Sequence, residues 1–431
     1  MKTRLLFLLA CLPALALPTV TAAPTPSEVP RFDWPQWRGP DRSDVSKETG
    51  LLKEWPKDGP KLLWTCEDAG TGFSGPSVVG DRLFSMGADE QSEYVFALDV
   101  HNGKKVWSTA VGNRLHNGWG DGPRCTPTAD GGRVYALSGE GNLVCLDAAK
   151  GDKVWAKSLT SDLGGGLPGW GYCESPLVDD DKVVVTPGGA KGAVAALDKK
   201  TGDVRWRSKE FTDGAQYSSL VIGNAGKIRQ YVQMTGSSVA GVAADDGRLL
   251  WRFACDNPTA AIPTPIVQDD LVYSTSGYKA GCRLVKVTRD GDGKEQAEEV
   301  YANDDMSNHH GGVVKVGDYL YGHSDNNGSW MCQEFKTGKV VWKSNKLGKG
   351  SLTCADGMLY LYSEGDGTCA LVEASPSDWK EHSRFKIPRQ TKLNRKGGHI
   401  WTHPVVANGR LYLRDQDLIF AFDVKAAASG Q

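Results

Sequence analysis

The chain carries no surplus of either charge: 50 lysines and arginines face 52 aspartates and glutamates, a net of −2 over 431 residues. Nucleic acids and anionic membranes call for a basic surplus, so neither is implied as a partner, and no RNP, zinc-finger or basic-helix pattern is present. Beyond the first residues no run approaches 18 consecutive apolar positions, which removes a membrane-spanning helix from that stretch. There is no Cys-x-x-Cys pair and no Cys-x-x-Cys-His haem attachment site. A G-x-S-x-G nucleophile elbow is missing, which removes a Ser-His-Asp hydrolase of that type. Glycine-rich pieces such as LGGGLPG do not pass from a strand into a helix, so they do not form a phosphate cradle.

What the sequence has in abundance is repetition. Short apolar runs end in Asp, a turn, Gly and a Trp-centred strand: Ala97 to Trp107 (ALDVHNGKKVW), Cys145 to Trp155 (CLDAAKGDKVW) and Ala196 to Trp206 (ALDKKTGDVRW). Gly241 to Trp251 and Cys332 to Trp342 repeat the frame, and two weaker copies end at Tyr301 and Phe385. With Trp64, the aromatic positions lie 41 to 51 residues apart, the period of four-stranded propeller blades. Ahead of each frame lie two more apolar runs joined by Gly/Asp/Asn turns, a hairpin signature. Each unit therefore reads as strands A, B, C and D. The last unit, Pro404 to Val424, has no D strand, while Lys61 to Trp64 is a D strand with nothing before it. Pairing the two leaves no exposed edge. The expected fold is an all-β, eight-bladed β-propeller over residues 61–424, closed by an N-terminal strand. In the frame itself, Asp accepts bonds from the turn backbone and Gly supplies a positive φ. The Trp residues read as packing elements between blades, with their indole N–H groups needing partners.

Residues 1–23 read as a signal peptide, with Lys2 and Arg4 before an apolar run and cleavage near Ala22 or Ala23. Cys11 mimics a lipoprotein box, but too few residues precede it, so lipid anchoring is not expected. The mature chain is expected to be periplasmic or secreted, and monomeric. Nine cysteines follow the signal, an odd number that leaves at least one thiol unpaired within the chain. Several occupy repeated strand C positions and read as core residues. Residues 24–60, rich in Pro and containing Trp34, Trp37 and Trp55, are expected to pack along the propeller wall; residues 425–431 form a tail.

In a propeller blade the D-to-A and B-to-C loops share one face. Here the D-to-A loops are long and rich in aromatic, His and Gly residues, while the opposite turns are short and polar. Binding belongs on the long-loop face. The candidate funnel residues are Asn117, Trp119, Arg124, Trp170, Tyr172, Glu174, Tyr217, His309, His310, Trp401 and His403, with Asp325, Asn326 and Asn327 from a B-to-C loop. Five of the eight histidines (His116, His309, His310, His399 and His403) lie in these loops. Glu174 opens an inner strand, where it either holds a cation in the channel or accepts bonds from loop amides. His309 and His310 are adjacent, so in extended chain they point apart, and no second spaced pair accompanies them; a metal site is not expected. The aromatic residues either stack on a sugar or a quinone, or simply plug the ring.

The D-x-x-x-G-x-x-x-W frames resemble the repeats of pyrroloquinoline-quinone (PQQ) dehydrogenases and of the outer membrane protein assembly factor BamB. WPQWRGPDRSD at Trp34 to Asp44, GWGYCESPLV at Gly169 to Val178 and NHHGGVV at Asn308 to Val314 are similar to an uncharacterised bacterial branch of PQQ-like proteins. The resemblance covers about residues 60 to 424 and implies a quinoprotein alcohol dehydrogenase-like propeller; PQQ and calcium are implied by it alone. An enzyme of that type would place a calcium partly on Glu174 and use Asp325 or Asp121 as the base. The chain departs from it in lacking adjacent cysteines, a haem domain and an alignable calcium set, and blades five and seven have lost the Asp frame. The function expected first is therefore a non-catalytic binding or scaffold propeller for a small molecule, glycan or envelope protein. The alternatives are a PQQ- and calcium-dependent oxidoreductase acting on an alcohol or sugar, and a BamB-like partner in outer-membrane protein assembly. Fold alone does not choose between them.

Overall fold

The computed structural model describes residues 31–257 and 259–427. The signal-peptide reading, the Cys11 question, residues 24–30 of the leader and the last four residues of the tail lie outside the described residues. Eight sheets follow one another around the chain, and apart from one three-residue 3-10 turn at Ala225–Lys227 no helix is described.

Seven blades are continuous in sequence, each antiparallel in the order A-B-C-D. The first runs through Ser77–Val79, Arg82–Ala88, Ser92–Asp99 and Lys105–Asn113. In the eighth, strands Val405–Ala407, Arg410–Asp415 and Leu418–Asp423 take their outer strand from Lys61–Cys66. The register pairs Lys61 with Asp423, Trp64 with Ala421 and Cys66 with Ile419. The molecule is an eight-bladed all-β propeller closed by its own N-terminal strand. Strands B and C are mostly buried, as in Asn142–Asp147, whereas D strands such as Lys105–Asn113 turn alternate residues to solvent, as the period of two requires for an outermost strand.

The repeated frame is an inter-blade joint. Asp147 Oδ1 accepts the backbone N–H groups of Ala149 and Lys150, and Asp198 Oδ1 those of Lys200 and Thr201. This winds the turn until Gly151 and Gly202 adopt φ of 78° and 76°. Each glycine then lies under the Trp of the preceding blade: a Cβ at Gly151 would meet Trp107 at 2.6 Å, and one at Gly202 would meet Trp155 at 2.8 Å. The indole N–H bonds the same turn, Trp107 to Ala148 O at 3.0 Å and Trp155 to Lys199 O at 3.1 Å. Blades five and seven keep four strands without the frame, and the neighbouring Trp adapts. Trp251 turns its N–H to Gln230 within its own blade at 2.6 Å, and Trp342 bonds Ser375 O at 2.9 Å.

The leader does not simply follow the wall. Between Trp34 and Ser46 it touches the first strand, or the residues entering it, of all eight blades. Trp34 bridges to Val78, and Pro35 O accepts Ala129 N. Arg42 donates to Ser175 O, Pro176 O and Leu220 O, Trp37 to Thr264, and Arg38 to Val313 O. Val45–Ser46 adds a parallel strand to Gly350–Ala355, and Asp44 meets His403 at 3.2 Å. A 13-residue stretch that reaches every innermost strand must lie on the ring axis. It plugs the channel. The wall position holds only further along, where Trp55 packs on Tyr360 and Phe385 in the seventh blade.

Candidate functional site

Above the plug, the long-loop face closes around a cavity of about 290 Å³. Its walls come from the D-to-A and B-to-C loops, and its floor includes Trp37 of the leader, whose ring lies edge-on to His403 at 4.6 Å. Ring follows ring around the wall. Tyr217 stacks on Trp170 at 4.8 Å and 21°, Trp170 meets His309 at 6.4 Å and 68°, and His309 meets His310 at 5.3 Å and 78°. His310 then meets Trp401 at 5.6 Å, and Trp401 meets Phe73 at 5.2 Å, with the Arg124 guanidinium over the Phe73 ring. Trp119 stands at the mouth, 53% exposed.

The polar groups are set from behind. Lys349 Nζ donates to Asp325 Oδ2 at 2.9 Å and to His309 Nδ1 at 2.8 Å. Burial, together with the Lys349 charge, lowers the His309 pKa to about 4, so its ring is neutral at pH 7. Burial would raise Asp325, but His323 beside it at 3.5 Å and the bond and charge of Lys349 outweigh it and hold its pKa below the ordinary carboxylate value. Glu364 accepts the Trp401 indole N–H at 3.0 Å. Its Oε2 also lies 3.2 Å from His310 Nε2, out of line for a hydrogen bond. Burial holds His310 far below the ordinary imidazole range, and neither of its ring nitrogens has a hydrogen-bond partner in the protein.

Eight of the candidates read from the sequence line this cavity: Trp119, Arg124, Trp170, Tyr217, His309, His310, Trp401 and His403. Asn117 is not in the lining and donates to Gly169 O, and Asp325 supports Lys349 from behind. Asn326 is exposed and donates to Asp304 O. Tyr172 and Glu174 are buried away from it. The Tyr172 hydroxyl is spent on Gly166 O and Pro187 O, while Glu174, 1% exposed, accepts the backbone and hydroxyl of Thr186. The position of Glu174 at the head of an inner strand turns its side chain into the protein beside the Arg42 plug. Sequence reasoning passed over Trp37, Phe73, Tyr278, Lys349 and Glu364, all in the lining. Tyr278 and Glu364 lie in B-to-C loops, which the same two-loop rule would have included; nothing local marks Trp37 as the floor.

The family model of outer membrane protein assembly factor BamB matches residues 91–344. The chain belongs to that PQQ-like propeller family. The BamB of Shewanella oneidensis is 24% identical over 60% of this chain and 65% of its own length. A quinohemoprotein alcohol dehydrogenase of Comamonas testosteroni is 28% identical over 35% of this chain but only 23% of its own. This BamB-family chain thus spans under two thirds of each relative. Among solved structures, BamB from Moraxella catarrhalis superposes with a TM-score of 0.58, 17% identity and coverage of 83% and 96% of the two chains. The Comamonas dehydrogenase gives 0.58 at 12% identity, covering 93% and 81%. Both likenesses concern the fold.

The residues present do not fit a calcium-held quinone centre. Among the described residues no three His, Cys, Asp or Glu side chains converge as metal ligands. Glu174 is committed to Thr186, and the cavity wall contains a single cysteine, Cys173. Asp121 is clamped by Arg114 at 2.9 Å and Lys396 at 2.6 Å. Burial opposes ionisation there, but the hydrogen bonds, that of Lys396 foremost, bring its pKa down to about 2, too acidic for a general base near neutrality.

Proposed function

We propose that this BamB-family chain is an exported, non-catalytic binding propeller that holds a small ligand in the long-loop cavity. The observation that carries the reading is the unpartnered, buried His310 within a continuous aromatic wall. Polar atoms in such a place are ordinarily bonded, and their exceptions call for a ligand or a water. The axial plug supports it as well, because a channel filled by the chain's own arginines leaves the cavity as a shallow cup rather than a through-pore. Export rests on residues 1–23. Among the described residues no helix is long and apolar enough to cross a membrane. The test is a ligand screen that follows indole fluorescence, since Trp37, Trp119, Trp170 and Trp401 all line the cup. Saturable quenching abolished by Trp170→Ala supports the reading; dye reduction dependent on added PQQ and calcium would replace it with the oxidoreductase.

A second reading, a partner in outer-membrane protein assembly, is favoured by one further observation. The outer strands expose an apolar residue just before the aromatic position in five blades, at Leu63, Val106, Val154, Val300 and Val341. Such a belt suits contact with another envelope protein. A photo-crosslinker at position 154 reports it: a specific adduct with a β-barrel assembly component supports this role, and its absence leaves the cup as the functional surface.

A further inference from the structure

Building on the reading of the cup as a small-ligand site, we propose that its ligand is a neutral polyhydroxylated ring, a pyranose sugar unit. Its C–H face lies against the indoles and its hydroxyl groups reach His310, Glu364 and Lys349. The first support is the pattern of vacant hydrogen-bonding capacity. The His310 side chain is 8% exposed and lines the cup with both ring nitrogens unpartnered. A neutral imidazole has one donor nitrogen and one acceptor nitrogen. A carboxylate oxygen can satisfy only the donor, whereas hydroxyl groups both give and accept. Glu364 adds acceptor capacity beyond its bond to Trp401, and Lys349 retains a third N–H after Asp325 and His309.

Charge points the same way. The Lys349 ammonium is balanced by Asp325, burial holds two of the four lining histidines, His309 and His310, neutral, and Glu364 places a carboxylate on the wall. Arg124 already donates to Gly120 O and Gly122 O and lies over Phe73, which leaves it poorly placed to draw an anion into the site. Shape gives the third support. Successive rings meet at 68°, 78° and 49°, and Tyr278 meets His309 at 86°, so the wall curves as a cup. One face of Trp170 is already covered by Tyr217. A flat aromatic plate is best held between parallel faces, while a puckered ring offers polarised C–H groups to several tilted π-faces at once. A volume of about 290 Å³ sits at the small end of ligand pockets, which suits one or two such rings.

The experiment titrates the full chain with methyl glucoside, methyl galactoside, methyl mannoside, maltose and cellobiose, by indole fluorescence and by calorimetry. Inorganic phosphate and naphthalene-2,6-dicarboxylate serve as contrasting probes. We expect at least one sugar to saturate the protein, and phosphate to have no effect. Binding weakens at least tenfold in His310→Phe, which keeps a ring but removes both nitrogens, and in Glu364→Gln, which keeps an acceptor for Trp401. Unchanged thermal unfolding confirms that each variant is folded, and the Gln variant stands alone if the Phe variant is not. The planar dicarboxylate binding through His310 while every sugar fails would overturn the sugar assignment yet keep the cup as a ligand site. Sugar binding undiminished in both variants overturns it as well. If no probe of either kind binds, both the assignment and the small-ligand reading fall.

Discussion

Glu174 is committed to structure, and its environment makes a measurable statement about pH. Burial raises its pKa from 4.5 to about 7 against the opposing bonds from Thr186 and the charge of Arg42. The unfolded chain therefore ionises this carboxyl first. Below about pH 4.5 both states are protonated and no penalty exists. Between there and about 7 stability falls, and above 7 the loss is complete, up to about 3 kcal/mol. Glu174→Gln, whose amide can still accept from Thr186 N, removes this slope. The difference in thermal midpoint between variant and native protein should grow from pH 5 to pH 8 and then level off; a constant difference would show that Glu174 does not titrate there. A second residue-scale test concerns the inter-blade glycines. Gly202→Ala meets Trp155 at 2.8 Å as well as a φ of 76°, while Gly357→Ala at φ 74° meets nothing within 4 Å. Denaturant unfolding should show a loss of about 1 kcal/mol for Gly357→Ala from backbone strain alone and a clearly larger one for Gly202→Ala.

At the scale of elements, the leader behaves as an internal strap. Arg42 alone ties Gln36 to three carbonyls of the third and fourth blades, at sequence separations of 133 to 178. Removing its guanidinium takes a donor from Ser175 O and Leu220 O, at about 1–3 kcal/mol for each left unsatisfied, while Pro176 O keeps the Thr128 hydroxyl. Arg42→Ala should therefore lower the unfolding midpoint markedly and Arg42→Lys less, because an ammonium cannot span the same fork; equal and small effects would mean that the plug is only loosely held. Here lies the limit of what the sequence made legible. The Asp, Gly and Trp of each frame act within one turn or between adjacent blades, so their period of 41 to 51 residues was readable. Contacts from Arg38 or Trp37 to blades more than 200 residues away leave no period, and the axial path was not readable. The cup divides in the same way. Aromatic and His residues of the long D-to-A loops announced themselves, but Glu174 and Tyr172 sit one turn too deep. Lys349 and Glu364 come from short loops whose composition is ordinary.

For the whole molecule, closure by a strand from the far end of the chain distinguishes a ring from an open array. In an open array each unit feels only its neighbours, and damage at one end stays there. In the ring, the eighth blade is the seam at which residues 61–66 and 418–423 must meet, and the plug touches all eight blades from within. Phe422 lies at that seam, paired across to Leu62 and packed 4.8 Å from Phe385 of the seventh blade. Phe422→Ala empties a buried aromatic site, a change worth about 3–5 kcal/mol. If the seam holds the ring together, that loss is shared: amide exchange should quicken by a similar factor in Gln230–Met234 of the fourth blade, on the far side, as in Arg410–Asp415 beside the substitution. Faster exchange confined to the seventh and eighth blades, with the fourth unaffected, would show that the blades unfold independently. The strand exchange would then be a local repair of one edge instead of the lock of the whole propeller.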